Sequence, residues 1–246
     1  MAISEEKKKG LFMRKFFRKT GKAISDYGLI DNGDRILIGV SGGKDSMALL
    51  EVLAQRARNK ANSYTVIAAH IDVDNIEYET DTKYLQEFCD NLGVEFIDKK
   101  ITVDFSVESK KPVCFICSWT RRKALFELAK EYNCNKLALG HHKDDAIETL
   151  LMNMINNGIM SSMPPKLSMF DGTFTLIRPL IYHKDAEVRE YAEYQQFKQQ
   201  VKFCPHEKIT QRNKAKELIA QLEEFNPHVR SNIFAAMSNI HEEYLP

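Results

Sequence analysis

Between residues 35 and 54 the chain passes from an apolar segment, Arg35-Ile36-Leu37-Ile38-Gly39-Val40, through Ser41-Gly42-Gly43-Lys44-Asp45-Ser46, into a second apolar segment, Met47 to Ala54. The first reads as a buried strand and the second as a helix. Glycines at a strand-to-helix turn let the backbone approach a ligand closely, and the N–H groups that open a helix attract anions. Lys44 adds a positive charge, and Ser41 and Ser46 add hydroxyls. The guest that suits this combination is a phosphate group.

The remainder of the chain supplies the sheet such a loop needs. Tyr64 to Asp72 reads as a second strand, residues 79–92 as a helix ending at Gly93, and Val94 to Ile97 as the start of a third strand. Cys114 opens a helix that continues past Ala129, and Lys136 to Gly140 reads as a fourth strand with a helix to about Asn156 behind it. Gly158 to Gly172 reads as a loop and Thr175 to Leu180 as a short fifth strand; from Asp185 the pattern is helical, interrupted at Cys204-Pro205. Strands alternating with helices predict an α/β, Rossmann-like parallel sheet flanked by helices, with its ligand site at the carboxyl ends of the strands. At the amino end, residues 1–9 read as frayed, and Leu11 to Ile30 as an amphipathic helix. Its other face is basic, and residues 7–22 contain Lys7, Lys8, Lys9, Arg14, Lys15, Arg18, Lys19 and Lys22 with no acid among them. We divide the chain into a basic helical region (1–30), a nucleotide domain (31–183) and a helical extension (184–246).

The net charge is only +1, so attraction for nucleic acid has to come from local clusters. No apolar run is long enough to span a bilayer and the start lacks a signal-peptide core, which predicts a cytoplasmic enzyme. Five cysteines, an odd number, argue against a disulfide framework. Cys114 and Cys117 have C-x-x-C spacing at a helix start, which suits zinc, an iron–sulfur cluster or a redox couple. Cys204, followed by Pro205, is the last cysteine, while Cys89 and Cys134 read as ordinary core residues. Leu139-Gly140-His141-His142-Lys143-Asp144-Asp145 follows the fourth strand, where its carboxylates suit magnesium. One of Asp144 and Asp145 is expected to cap the helix and the other to serve nucleotide or metal.

The loop is not a Walker A motif, because Gly39 and Gly43 are one residue too close and Asp45 follows the lysine. It resembles the PP-loop of the ATP pyrophosphatases, which cleave ATP between its α and β phosphates. Taken in order, S-G-G-K-D-S, C-x-x-C followed by Arg121-Arg122, L-G-H-H-K-D-D, M-P-P-K-L from Met163 and Ile177-Arg178-Pro179-Leu180 resemble the tRNA 2-thiocytidine synthetase (TtcA-like) family over nearly the whole chain. The resemblance implies adenylation of the C2 oxygen of an anticodon-loop cytidine, at position 32, and its replacement by sulfur with a [4Fe-4S] cluster. It implies Lys44, Asp45 and Asp145 as catalytic residues. Ser41, Gly42, Gly43, Asp45, Ser46, His70, Asp72, Gly140, His141 and Asp145 would bind ATP and Mg2+, and Cys114, Cys117 and Cys204 would hold the cluster.

This sequence departs from the family at Cys204-Pro205-His206-Glu207, where one thiol stands in place of a pair, so the third ligand is Cys204 or Glu207. The expected partners are tRNA and a sulfur donor such as a cysteine desulfurase or free sulfide, and a homodimer is compatible with the sequence. RNA contacts are expected from the basic helix, Arg121-Arg122-Lys123, Lys166 and the segment from Lys208 to Lys216. Trp119 reads first as packing, with stacking on a splayed base as the alternative. Three competing readings remain: a tRNA 2-thiouridine synthetase, an amide-forming enzyme in which ammonia or an amine attacks the adenylate, and a nucleotide-binding redox sensor without turnover.

Overall fold

The computed structural model describes residues 4–59, 63–76, 80–104, 113–200 and 211–244. Six strands form one sheet: β1 (Arg35–Gly39), β2 (Thr65–Val73), β3 (Glu95–Ile101), β4 (Lys136–Ala138), β5 (Lys166–Met169) and β6 (Phe174–Ile177). Their spatial order is β3-β2-β1-β4-β6-β5. All neighbours are parallel except β5, which runs antiparallel to β6. The chain builds β1, β2 and β3 outward in one direction and then crosses back to place β4 on the other side of β1. Parallel sheets of this kind bind ligands where the strand order reverses, beyond the carboxyl ends. Here that place is the gap between β1 and β4.

Both faces of the sheet are covered, which is why β1 is an unbroken apolar run. Successive strand residues point to opposite faces. Ile36 and Ile38 enter a core with α2 (Lys44–Ala57), α3 (Thr82–Leu92), α1 (Glu5–Asp26) and α6 (Asp185–Tyr194), through Leu49, Leu85, Phe16 and Tyr191. Leu37 enters a second core with α4 (Val113–Glu131), through Ala124, Leu128 and Ala129. The core therefore runs unbroken from α1 to α6. The helices α5 (Lys143–Asn157), α7 (Gln211–Phe225) and α8 (Val229–Ala236) pack together beside the carboxyl end of the sheet.

Several expectations need correction. Residues 5–9 are helical rather than frayed, because the Lys9 ammonium donates to the carbonyl of Tyr194 and lies over its ring. The helix ends at Asp26, not Ile30. The segment 158–172 is not all loop: Lys166–Met169 is an edge strand paired with β6. Trp119 is not packed; it is 53% exposed. Cys89 and Cys134 are buried as expected. Cys204, His206, Glu207 and Lys208 lie outside the described residues. Among the described residues no helix is long and apolar enough to cross a membrane.

Candidate functional site

The loop after β1 is shaped by its own side chains. Gly42 has φ +74°, a left-handed conformation that a Cβ would strain, and there a Cβ would also meet the Gln200 side chain at 2.8 Å. The Ser46 hydroxyl accepts from the N–H of Ser41 at 3.1 Å and donates to the carbonyl of Gly43 at 2.9 Å, closing the loop on the first turn of α2. The first helical bond runs from Met47 N–H to Gly43 C=O, so the N–H groups of Lys44, Asp45 and Ser46 have no partner within the helix. Gly140, at the end of β4, lies against that turn. A Cβ there would stand 2.8 Å from the carbonyl carbon and oxygen of Asp45, so only glycine allows the approach.

A cavity of about 340 Å³ opens at this junction. It brings together Ser41, Asp45, Ser46, His70, Gly140, His141 and Asp145, and adds Arg121 and Arg212. Gly42, Gly43 and Lys44 belong to the loop and helix start beside it, while Asp72 lies farther along β2, off the cavity wall.

Two histidines present opposite hydrogen-bonding characters to this cavity. His70 is 2% exposed, and its Nδ1 lies 2.7 Å from the carbonyl oxygen of Val40. A carbonyl only accepts, so Nδ1 carries the proton, and Nε2, buried without a partner among the described residues, is an acceptor. Burial lowers the His70 pKa and keeps the ring neutral. His141 is the reverse. The Arg178 Nε–H donates to its Nδ1 at 3.4 Å, which leaves the ring proton on Nε2. Burial pushes His141 down to about 4; the charge of Asp145 opposes this, and those of Arg178, Arg212 and Arg122 reinforce it.

Behind the loop, the Lys44 ammonium bridges Asp45 and Asp185 at 2.7 Å each. Burial alone would lower its pKa, but hydrogen bonds to Asp185 and Asp45 outweigh that and raise it. Hydrogen bonding from His142, then from Lys44, holds the Asp185 carboxyl well below the usual carboxylate range. Asp45, His142 and Asp185 converge within 4.8 Å, a spacing that could suit a cation, but the Lys44 ammonium already bridges the two carboxylates.

The expected division of labour between Asp144 and Asp145 is different in the structure. Asp145 both caps α5 and lines the cavity: one oxygen accepts from the His142 N–H at 2.9 Å and the other accepts from Arg212 at 3.1 Å. Asp144 is buried away from the cavity, bonded to the Asp185 N–H at 2.6 Å and to Arg230 at 2.8 Å. Arg178, Arg212 and Arg230 were not assigned to the site from sequence. Arg178 stands in the Ile177–Leu180 motif and Arg212 in the basic segment from Lys208 to Lys216, but neither context points to this cavity, and Arg230 lies in no motif.

Cys114 and Cys117 lie in the first turn and a half of α4, and the same helix sends Arg121 and Leu125 to the cavity. Cys114 is exposed and Cys117 half-buried, whereas burial pushes the Cys89 thiol up to about 12 and raises that of Cys134. Of the four described cysteines, the C-x-x-C pair is therefore the accessible one, three residues apart at a helix head, which fits the thiolate ligands of a cluster.

The model of the PP-loop domain family matches residues 13–220. The chain is 38% identical to the tRNA-cytidine(32) 2-sulfurtransferase of Syntrophotalea carbinolica over 94% of its length and 91% of that protein. It is 39% identical to the tRNA-cytidine(32) 2-sulfurtransferase of Sorangium cellulosum, covering 94% of this chain and 83% of that one. Among solved structures, the U34-tRNA thiolase NcsA from Methanococcus maripaludis with its [4Fe-4S] cluster superposes with a TM-score of 0.76, at 24% identity, over 94% of this chain and 79% of that chain.

Proposed function

Because the chain belongs to the tRNA-cytidine(32) 2-sulfurtransferase family of PP-loop proteins, we propose that it is an ATP-dependent tRNA thiolation enzyme that replaces the C2 oxygen of cytidine 32 with sulfur. The observation that carries this reading is the junction of loop, cavity and cysteine-bearing helix at one sheet edge. The N–H groups that open α2, two histidines, two carboxylates and, from α4, Arg121 and Leu125 gather at the same opening, and the C-x-x-C pair lies farther up that helix.

A carbonyl oxygen is a poor leaving group, and adenylation makes it a good one. The C2 oxygen attacks the α-phosphorus of ATP, the bond from that phosphorus to the β-phosphate oxygen breaks, and pyrophosphate leaves. Sulfur then adds at C2, and the former carbonyl oxygen departs as part of AMP. The chain's contribution is positioning and charge. Gly42, Gly43 and the first N–H groups of α2, with Ser41 and Ser46, would receive the pyrophosphate portion. Lys44, kept charged by Asp45 and Asp185, supplies positive potential behind the loop. Asp45 and Asp145 would hold the Mg2+ that accompanies the triphosphate. The Nε2 acceptor of His70 suits the amino group of adenine, Asp72 shares the His70 face of β2 at the rim, and the Nε2 donor of His141 suits a phosphoryl oxygen.

Cys114, Cys117 and Cys204 would hold the [4Fe-4S] cluster. When bound with three protein ligands, such a cluster supplies one iron with an open position for sulfur. The protein acts in the cytoplasm, taking its sulfur from a cysteine desulfurase or free sulfide.

Nucleoside mass spectrometry of tRNA from cells lacking the protein tests the reading. Loss of 2-thiocytidine is expected; unchanged 2-thiocytidine with loss of a thiouridine would overturn the substrate. Anaerobic purification should yield a brown protein, and Cys114→Ala should lose the colour while retaining ATP binding.

A further inference from the structure

Away from the nucleotide cavity, a wider groove of about 950 Å³ runs between α4 and the β5–β6 hairpin. The core face of α4 is Ala124, Leu128 and Ala129, yet the helix also turns Trp119, Arg122, Phe126 and Lys130 to this groove. Phe126 meets Phe170 edge-on at 6.2 Å and Phe174 at 5.4 Å. Trp119 and Phe170 remain 53% and 63% exposed, so aromatic faces are offered to a guest rather than spent on the core.

Phe170 has a second peculiarity. It has φ +52°, followed by Asp171 at +55° and Gly172 at +87°, and the Gly172 N–H closes the turn on the Met169 carbonyl at 3.2 Å. Mirror-image turns of this kind are built from Asn, Asp and Gly. A bulky aromatic in left-handed backbone is strained, and strain held at an exposed position marks function rather than folding.

The charge around the groove selects the guest. Among the described residues neither Arg122 nor Lys130 is in an ion pair, and the one acid on this wall, Glu127, is paired with Lys123 at 3.8 Å. Exposed aromatic faces interleaved with uncompensated cations suit single-stranded nucleic acid, whose bases stack while its phosphates pair. The groove and the nucleotide cavity share one helix, α4, which sends Arg121 and Leu125 to the cavity and Trp119, Arg122 and Phe126 to the groove.

We propose that this groove takes an unpaired base of the RNA substrate, a neighbour of the nucleotide being modified. The base stacks on Trp119 and the Phe126–Phe170 pair, with Arg122 and Lys130 meeting its flanking phosphates. This inference rests on the tRNA reading above.

Trp119 is the single tryptophan of the chain, so its emission reports the groove directly. Titrating the full-length protein with unmodified tRNA transcript should quench that emission. Trp119→Ala and Phe170→Asn should each weaken tRNA binding about tenfold, with ATP binding in the absence of RNA retained. Asparagine adopts left-handed backbone readily, so Phe170→Asn keeps the turn, which an unchanged melting temperature would verify. If the wild type binds tRNA without a change in emission and both variants bind within twofold of it, the groove proposal falls while the tRNA reading stands. If the wild type binds no tRNA, both fall. Variants with full tRNA affinity but impaired sulfur delivery from a donor protein would assign the groove to that protein and overturn the proposal.

Discussion

At the scale of single residues, the site works by fixing which atom carries a proton and where backbone can pass. The motif residues Ser41 to Ser46 and Gly140 to Asp145 were legible because each set acts through its own neighbours in sequence. The tautomer of His141 was not, since it is set by Arg178, 37 residues away and just past the end of β6. Gly140 is expected to tolerate nothing larger. Gly140→Ala pushes the start of α2 off the loop and should weaken ATP binding at least tenfold, about 1.4 kcal/mol, in a calorimetric titration. His183 belongs to none of the sequence motifs. It is fully buried, stacked on Phe16 at 3.9 Å, with Nε2 at 2.9 Å from the Thr20 hydroxyl. Burial, reinforced by the charges of Lys19, His142 and Lys143, pushes its pKa down from 6.5 to about 3. Between those values the unfolded chain binds more protons than the folded one. Its stabilisation is therefore complete above pH 6.5 and lost as pH falls towards 3. Its share of the loss between pH 6.5 and 4 is about 3 kcal/mol. His183→Gln keeps a neutral partner for Thr20 and should flatten the urea-unfolding free energy across that window; an unchanged slope would refute the assignment.

Elements were legible where their burial is two-sided or their stripe is long, as in β1, β2, α2 and α4. They were not where four residues on an edge carry the structure. Strand β5 has three of its four residues exposed, so no alternation betrays it, and Pro164-Pro165 before it reads as loop. The joint between α1 and the sheet was equally hidden. The buried Lys136 of β4 reaches Asp34 at 2.6 Å, Asp31 at 2.9 Å and the carbonyl of Leu29 at 2.9 Å, tying the segment before β1 to the neighbouring strand. Lys136 and Asp34 are both almost fully buried, so removing one leaves the other charge without its partner. Lys136→Met is expected to cost about 3–5 kcal/mol in urea unfolding, and adding Asp34→Asn to it should restore part of that loss.

Over the whole molecule, the small net charge conceals an uneven surface. Lys19 is spent on Glu187 and Lys22 on Asp26, so the basic helix is less cationic than its sequence. Arg14, Lys15 and Arg18 remain exposed and, among the described residues, in no ion pair. Replacing these three with glutamine should lower tRNA affinity and reduce the slope of log K against log salt by about 2 to 3, leaving ATP binding as it was. The C-terminal helices were legible as helices but not as parts of the site, because the contacts that join them to it span 67 and 86 residues. Those contacts are a pair of clasps: adjacent aspartates at the head of α5 are held by different helices, Asp145 by Arg212 of α7 and Asp144 by Arg230 of α8. The sheet, the loop and the starts of α2 and α5 all precede both arginines in the chain. The pocket is therefore fastened shut by later segments of the chain, and cutting between α6 and α7 should leave the sheet folded while loosening the head of α5.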